Sequence, residues 1–236
     1  MKTALACYQF NNNKIQDNLK KLESGMKLAS VKQAGLVCFG EAFLQGFDSL
    51  NWNYEHDKEI AVSQNDEIII SIAKLTIDYK VDIMFGYFEK DGQKIYSSEM
   101  LMSKGKILYN YRRISKGWKE YRITDEHYCE GKDTSSFLYH DLNCQIALCG
   151  DGFEYPQRFT NNDLLFWPVY VNYDLNKWKE YLPDYLAKAS LMSKQVLLFN
   201  SLSKNPSSIG GAYYFKDNKI MDAYPFEQEG ILLIEI

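Results

Sequence analysis

Short apolar runs bounded by turn residues alternate along this chain with segments whose apolar side chains recur at helical spacing. That alternation restricts the fold more than any other feature. Residues 3–9 read as a buried strand. Asn11, Asn12 and Asn13 form a natural helix start, because an Asn side chain accepts from free backbone N–H groups. Ile15, Leu19, Leu22, Met26 and Ala29 then follow on one helical face. Residues 36–39 read as a second buried strand, followed by a loop holding Gly46, Asp48 and Asn51. Asp66 can cap a second helix with Ile69, Ile72, Ala73 and Ile77 on one side. Residues 81–88 form a strand, and Asp91-Gly92, the strongest hairpin signal in the chain, joins it to 94–103. Lys104-Gly105 turns the chain again into 107–112.

Residues 113–143 are irregular, polar and aromatic, and 145–148 form a short buried strand ending at Cys149. A strand at 164–167 and a helix at 181–193 follow, with Pro183 in the first turn, where proline is tolerated. Strands at 196–200, 212–215 and 231–236 close the chain, with Asp217-Asn218 as a turn between two of them. There is no repeat, low-complexity tract or linker, so residues 1–236 read as one α/β domain with mixed strands.

Composition narrows the function. Lys and Arg number 27 against 31 Asp and Glu, and the basic residues are scattered, with only pairs such as Lys20-Lys21 and Arg112-Arg113. Nucleic-acid binding, which needs clustered basic surface, is disfavoured. No apolar run reaches the length of a membrane span, and the apolar N-terminal stretch stops at Gln9, too short for a signal peptide. The five cysteines, Cys7, Cys38, Cys129, Cys144 and Cys149, are odd in number and show no CxxC pair. This points to a reducing, cytoplasmic setting rather than a disulfide framework. His127 and Cys129 have no second pair at metal-ligand spacing, so no metal and no cofactor is expected.

Cys149 ends an apolar strand and precedes Gly150-Asp151-Gly152. A cysteine at a strand end before a glycine turn suits an exposed nucleophile with backbone donors for an oxyanion. The other reading is a buried, unreactive thiol. His56, His127 and His140 all precede Cys149. Papain-like and nucleophile-elbow arrangements place the histidine after the nucleophile, so a carboxylate or a lysine is the more natural partner here. Glu41 stands directly after the buried run 35–40, where α/β sheets place functional groups. A carboxylate in a partly apolar pocket can accept and return a proton near neutral pH. A solvent-facing or capping acid is the alternative reading of the same position. Phe43, Phe47 and Trp52 in the following loop fit either a pocket wall or core.

Three segments in order resemble the nitrilase, or carbon-nitrogen hydrolase, superfamily. Residues 36–47 around Glu41 look like the family's glutamate segment. Tyr111-Arg112-Arg113, with Glu130-Gly131 downstream, looks like its Tyr-Arg-Lys segment. Residues 146–156 around Cys149 look like its cysteine segment. Residues 178–200 and 210–236 resemble the stretches that follow, so the likeness covers nearly the whole chain. The resemblance implies a four-layer αββα sandwich, a homodimer, and a Glu-Lys-Cys triad acting on non-peptide C–N bonds of small amides or carbamoyl compounds. Cys149 would attack the carbon. Glu41 would move the protons, and a lysine, with the Gly150 N–H, would hold the oxyanion.

The sequence departs from the family pattern in places. Gly40 replaces the usual proline, one extra residue lies between Asp151 and Pro156, and Gln157 stands where the family prefers glutamate. Arg113 occupies the lysine position, and arginine is longer, forked and does not give up its proton. Lys116 and Lys119 follow closely. Lys119, between Trp118 and Glu120, is favoured as the ammonium, and Glu120 resembles the family's second glutamate. Two functions follow: an amidase-type hydrolase, or a non-catalytic ligand-binding or regulatory member of the same fold.

Overall fold

The computed structural model describes residues 1–236. Its strands form two six-stranded sheets. In spatial order, the first contains β12 (Gly230–Glu235), β1 (Lys2–Cys7), β2 (Leu36–Cys38), β3 (Asp82–Asp91), β4 (Lys94–Ser103) and β5 (Lys106–Arg112). The second contains β11 (Lys219–Tyr224), β10 (Ser207–Lys216), β9 (Gln195–Lys204), β8 (Leu164–Val169), β7 (Leu142–Ile146) and β6 (Phe137–Tyr139). In each sheet three strands are mutually parallel, β1-β2-β3 and β7-β8-β9, and antiparallel strands extend both edges.

The two sheets face each other across the main core. Along β1 the pleat sends Leu5 and Cys7 inward, into the apolar cluster they share with Phe166 and Leu197 of the second sheet. Ala4 and Ala6 point the other way, onto α1 (Ile15–Val31) and α3 (Glu67–Tyr79) through Leu22, Met26, Ile69 and Ile72. The outer face of the second sheet is covered by α5 (Leu175–Met192), which buries Trp178, Tyr185, Ala189 and Met192 along one stripe. The result is a four-layer αββα sandwich.

The turns follow residue chemistry. Asp91-Gly92 closes the β3–β4 hairpin with Gly92 at φ +59°, and Lys104 and Gly105 both take positive φ between β4 and β5. Asp217 and Asn218 do the same between β10 and β11.

Five local features differ from the sequence reading. The stretch 113–143, read as irregular, holds the short edge strand β6, paired with β7. The asparagines do not cap α1, which starts after Lys14 without a side-chain cap. They build a turn instead: the Asn11 N–H donates to Asn18 Oδ1, and the Asp48 N–H donates to Asn12 Oδ1. The loop after β2 contains a short helix, α2 (Tyr54–Ile60), capped by Asn53 and too brief to show a period. α5 begins six residues earlier than residue 181, capped by Asp174, so Pro183 sits inside it on the solvent side, where its missing N–H is tolerated. Exposed β11 was invisible because an edge strand with no buried face carries no hydrophobic alternation.

Candidate active site

Two loops leave the carboxyl ends of parallel strands and meet between the sheets, one after β2 carrying Glu41 and one after β7 carrying Cys149. Glu41 is fully buried. Its backbone runs against β3 at Gly86, where an added Cβ would lie 2.7 Å from Glu41 Cα and 2.3 Å from the Ala42 nitrogen. Only glycine allows this approach. Glu41 Oε1 accepts from Arg113 Nη1 at 2.7 Å and from Ser97 Oγ at 3.2 Å, and Oε2 is buried with no formed hydrogen bond.

Arg113 continues the line of β5, its N–H donating to the Ser97 carbonyl at 2.9 Å. Strand alternation turns Tyr111 and Arg113 inward and Arg112 outward, where Arg112 pairs with Glu89 and Asp91. The Arg113 guanidinium is buried and divided among tasks. Nε donates to Ser115 Oγ at 2.8 Å and Nη1 holds Glu41. Nη2 lies where a Cβ on Gly150 would be 2.6 Å away and one on Gly117 3.1 Å away. Burial works against this charge, but Glu41, the Cys149 sulfur and Asp151 more than offset it and strengthen proton binding.

Cys149 adopts φ +49°, in the left-handed region that a residue with a Cβ seldom enters. Its N–H donates to the Pro168 carbonyl at 2.8 Å, and its own carbonyl accepts from Trp167 Nε1 at 2.9 Å. These bonds fix the kink. Asp151 braces the next turn: its carboxylate accepts from the N–H groups of Leu148, Ile114 and Ser115 at 3.1, 3.1 and 2.7 Å, and from Tyr111 Oη at 2.6 Å. One buried side chain thereby ties the cysteine loop to the arginine segment of the opposite sheet. The Gly150 N–H has no main-chain acceptor.

The Cys149 residue is partly exposed, and its Sγ has the Tyr170 carbonyl 3.9 Å away as an acceptor. Burial of the sulfur, then the nearby Glu41 charge, push the thiol up to about 12, although Arg113 opposes them. Glu41 also makes a weak hydrogen-bonding contact with the thiol, short of a well-formed bond. Tyr185 and Tyr173 stand on the same side, their hydroxyls raised chiefly by burial, with the nearby sulfur a smaller contributor.

Glu41, Arg113, Cys149 and Gly150 therefore come together, and the lysines do not join them. Lys119 Nζ donates to the Tyr128 carbonyl and pairs with Glu130 at 2.7 Å, beside the separate aromatic cluster of Trp118 and Tyr128. Lys116 and Glu120 are exposed. Of the aromatic residues that fit either a pocket wall or core, Phe43 is buried in the cluster on the outer face of the first sheet with Phe47 packed against it, and Trp52 packs against Trp118 and Tyr128 in the separate cluster. Ser97, Ser115 and Asp151 orient the cluster and carry no distinguishing signal of their own, beyond the position of Asp151 in the glycine turn. No three His, Cys, Asp or Glu side chains are grouped so as to hold a metal ion.

The sandwich and the carboxylate–cation–cysteine cluster at its centre define the nitrilase-like class of folds. The chain matches the family model described as carbon-nitrogen hydrolase over residues 3–159, and it belongs to that family. No curated protein sequence matches it. Among solved structures, it is similar to a mutant amidase from Nesterenkonia sp. AN1 showing Michael addition of acrylamide at the active-site cysteine. The two share 14% identity at a TM-score of 0.81, covering 100% of this chain and 93% of the amidase. It is also similar to XC1258 of Xanthomonas campestris, a CN-hydrolase superfamily protein with an arsenic adduct in its active site. Here the identity is 15%, the TM-score 0.82, and the coverage 99% and 89%. The glutamine-dependent NAD+ synthetase of Acinetobacter baumannii aligns at 15% identity and a TM-score of 0.78, with 98% of this chain covering 44% of that one. At these identities the likeness is one of fold.

Proposed function

We propose that this chain hydrolyses a small linear amide or carbamoyl compound through a thioester on Cys149, with Arg113 in the place of the family lysine. The observation that carries the reading is the buried Arg113–Glu41 pair, 2.7 Å apart, beside the partly exposed Cys149. In the resting site the thiol holds its proton and the Glu41 carboxyl group is paired with Arg113. As Sγ attacks the carbonyl carbon, its proton passes to Glu41. The oxyanion is held by the Gly150 N–H and Arg113 Nη2. Collapse breaks the C–N bond while Glu41 returns the proton to the leaving nitrogen. Water then attacks the thioester with Glu41 taking its proton, and collapse releases the acid and restores the thiol. Surface depressions lined by Tyr109 and Lys132, by Lys14 and Glu59, and by Thr160 and Lys194 lie away from Cys149. All five cysteines are unpaired, in keeping with a cytoplasmic setting.

The test is ammonia release from a panel of small amides, with the intact mass of the protein followed during turnover. An acyl adduct on Cys149, lost in Cys149→Ala, is expected, and unchanged turnover in that variant would refute the mechanism. A non-catalytic, ligand-binding role is the second reading, favoured by Arg113 and the high thiol pKa. It expects binding of amides without any adduct.

A further inference from the structure

Glu99 is a carboxylic acid in the middle of β4, fully buried, with neither oxygen hydrogen-bonded. Its place in the sheet is defined by register. It lies opposite Gly86 on one side and Tyr111 on the other. Cross-strand neighbours project to the same face, and the Gly86 face is the one pressed against Glu41. Ser97, two residues earlier on that face, already donates to Glu41 Oε1. Three buried carboxyl oxygens without partners, both of Glu99 and Oε2 of Glu41, therefore occupy one region between the sheets. Around Glu99 stand Glu41 from the loop after β2, Cys38 of β2 and Tyr111 of β5, with Arg113 just beyond. The one cation among these, Arg113, is already paired with Glu41.

We propose that Glu99 is a positioning residue for the acid/base carboxylate, a protonated carboxyl group whose O–H is the donor for Glu41 Oε2. An ionised Glu99 would put a second negative charge beside Glu41 with one guanidinium for both. Burial, and after it the Glu41 charge, raise Glu99 well above the ordinary carboxyl range, which favours its protonated form. Glu41 then keeps its charge with donors on both oxygens, Arg113 and Ser97 on one and Glu99 on the other. The catalytic cluster contains two carboxyl groups and one negative charge, and the donor favours the ionised form of Glu41 between proton transfers. This inference rests on the role given to Glu41 above for its catalytic consequence, but the pairing itself does not.

Two measurements separate those layers. Infrared spectra of the full-length protein at neutral pH are expected to contain the carbonyl stretch of a protonated carboxylic acid. That band should vanish in Glu99→Gln and move in Glu41→Gln, where a neutral amide replaces the carboxylate acceptor. A wild-type protein without the band, or a band indifferent to Glu41→Gln, overturns the proposal whether or not the chain is a hydrolase. In turnover, Glu99→Gln retains a donor and should leave the acid limb of kcat/KM in place. Glu99→Leu removes the donor and should move that limb upward by about 1 to 2 pH units. A merely structural role would lower activity at all pH values without moving the limb, and that result also overturns the proposal. Should Glu99→Leu fail to fold, the infrared comparison with Glu99→Gln decides alone.

Discussion

Replacing Glu41 by glutamine should abolish turnover and, at the same time, make Cys149 more reactive toward an alkylating reagent. The thiol pKa stands at about 12, raised first by burial and next by the Glu41 charge, while Arg113 pulls the other way. Glutamine keeps the shape and removes the charge. A unit charge at ~4 Å in an effective dielectric of about 20 is worth roughly 4 kcal/mol, which lowers the thiol pKa by about 3, to roughly 9. Arg113 also loses its carboxylate and is left facing the sulfur. At about pH 8 the thiolate fraction then rises ~10³-fold. The less basic thiolate is intrinsically slower, by ~20-fold for that change in pKa. The net expectation is alkylation by iodoacetamide faster by roughly 50-fold. The assay is intact-mass spectrometry of wild type and Glu41→Gln across pH, with Cys149→Ala identifying the modified residue. If Glu41→Gln is alkylated no faster than wild type, the carboxylate charge does not act on the sulfur, and the proton path through Glu41 fails with it.

Arg113→Met leaves the buried Glu41 charge alone. It should cost about 3–5 kcal/mol, seen as a Tm lower by roughly 6–20 °C for a domain of this size. Arg113→Lys keeps the charge but cannot reach Ser115, Glu41 and the oxyanion position together, so kcat should fall by ~10²-fold with a much smaller change in Tm. Glu89 gives a pH prediction away from the site. Burial raises its carboxyl, and hydrogen bonds from Arg112, Ser98, Asn110 and Gln64 outweigh that and hold it below its ordinary range. The folded value is depressed, so the stabilisation is present above the unfolded value of about 4.3 and is lost as pH falls through the folded value. Arg112→Gln should therefore lower stability by about 3 kcal/mol near neutral pH and by little in strong acid, measured by urea unfolding. Gly86→Ala drives a methyl group into the backbone of Glu41 and Ala42. It should remove activity and lower Tm, and an active, fully stable variant would contradict the close packing of that loop.

The layers were readable because the chain obeys two periods, alternation in β1 and helical spacing in α1 and α3. The hairpins were readable because Gly92 and Gly105 supply the positive φ that those turns require. Glu41 and Cys149 were each legible as candidates because each follows a buried strand, but their strands belong to different sheets, and it was the family resemblance that brought the two together. The cation was harder. Lys119 looks suited to a charged pocket from its neighbours in sequence, but its partners are Glu130 and the Tyr128 carbonyl, across a loop whose path is set by tertiary packing. Arg113 stood at the family's lysine position, and the strand parity it shares with Tyr111, which settles its direction, is known only once the end of β5 is known. Ser97 and Glu99 were out of reach for the same reason, since their relation to Glu41 depends on the register of β4 against β3.

The left-handed backbone at Cys149 has an evolutionary consequence. A side chain in that conformation sits roughly 1–2 kcal/mol above its relaxed state, and glycine would escape the penalty. The sulfur is thus held at the one place in the loop where the fold itself would prefer another residue. A lineage released from selection for chemistry would be expected to lose the thiol first and gain robustness by doing so.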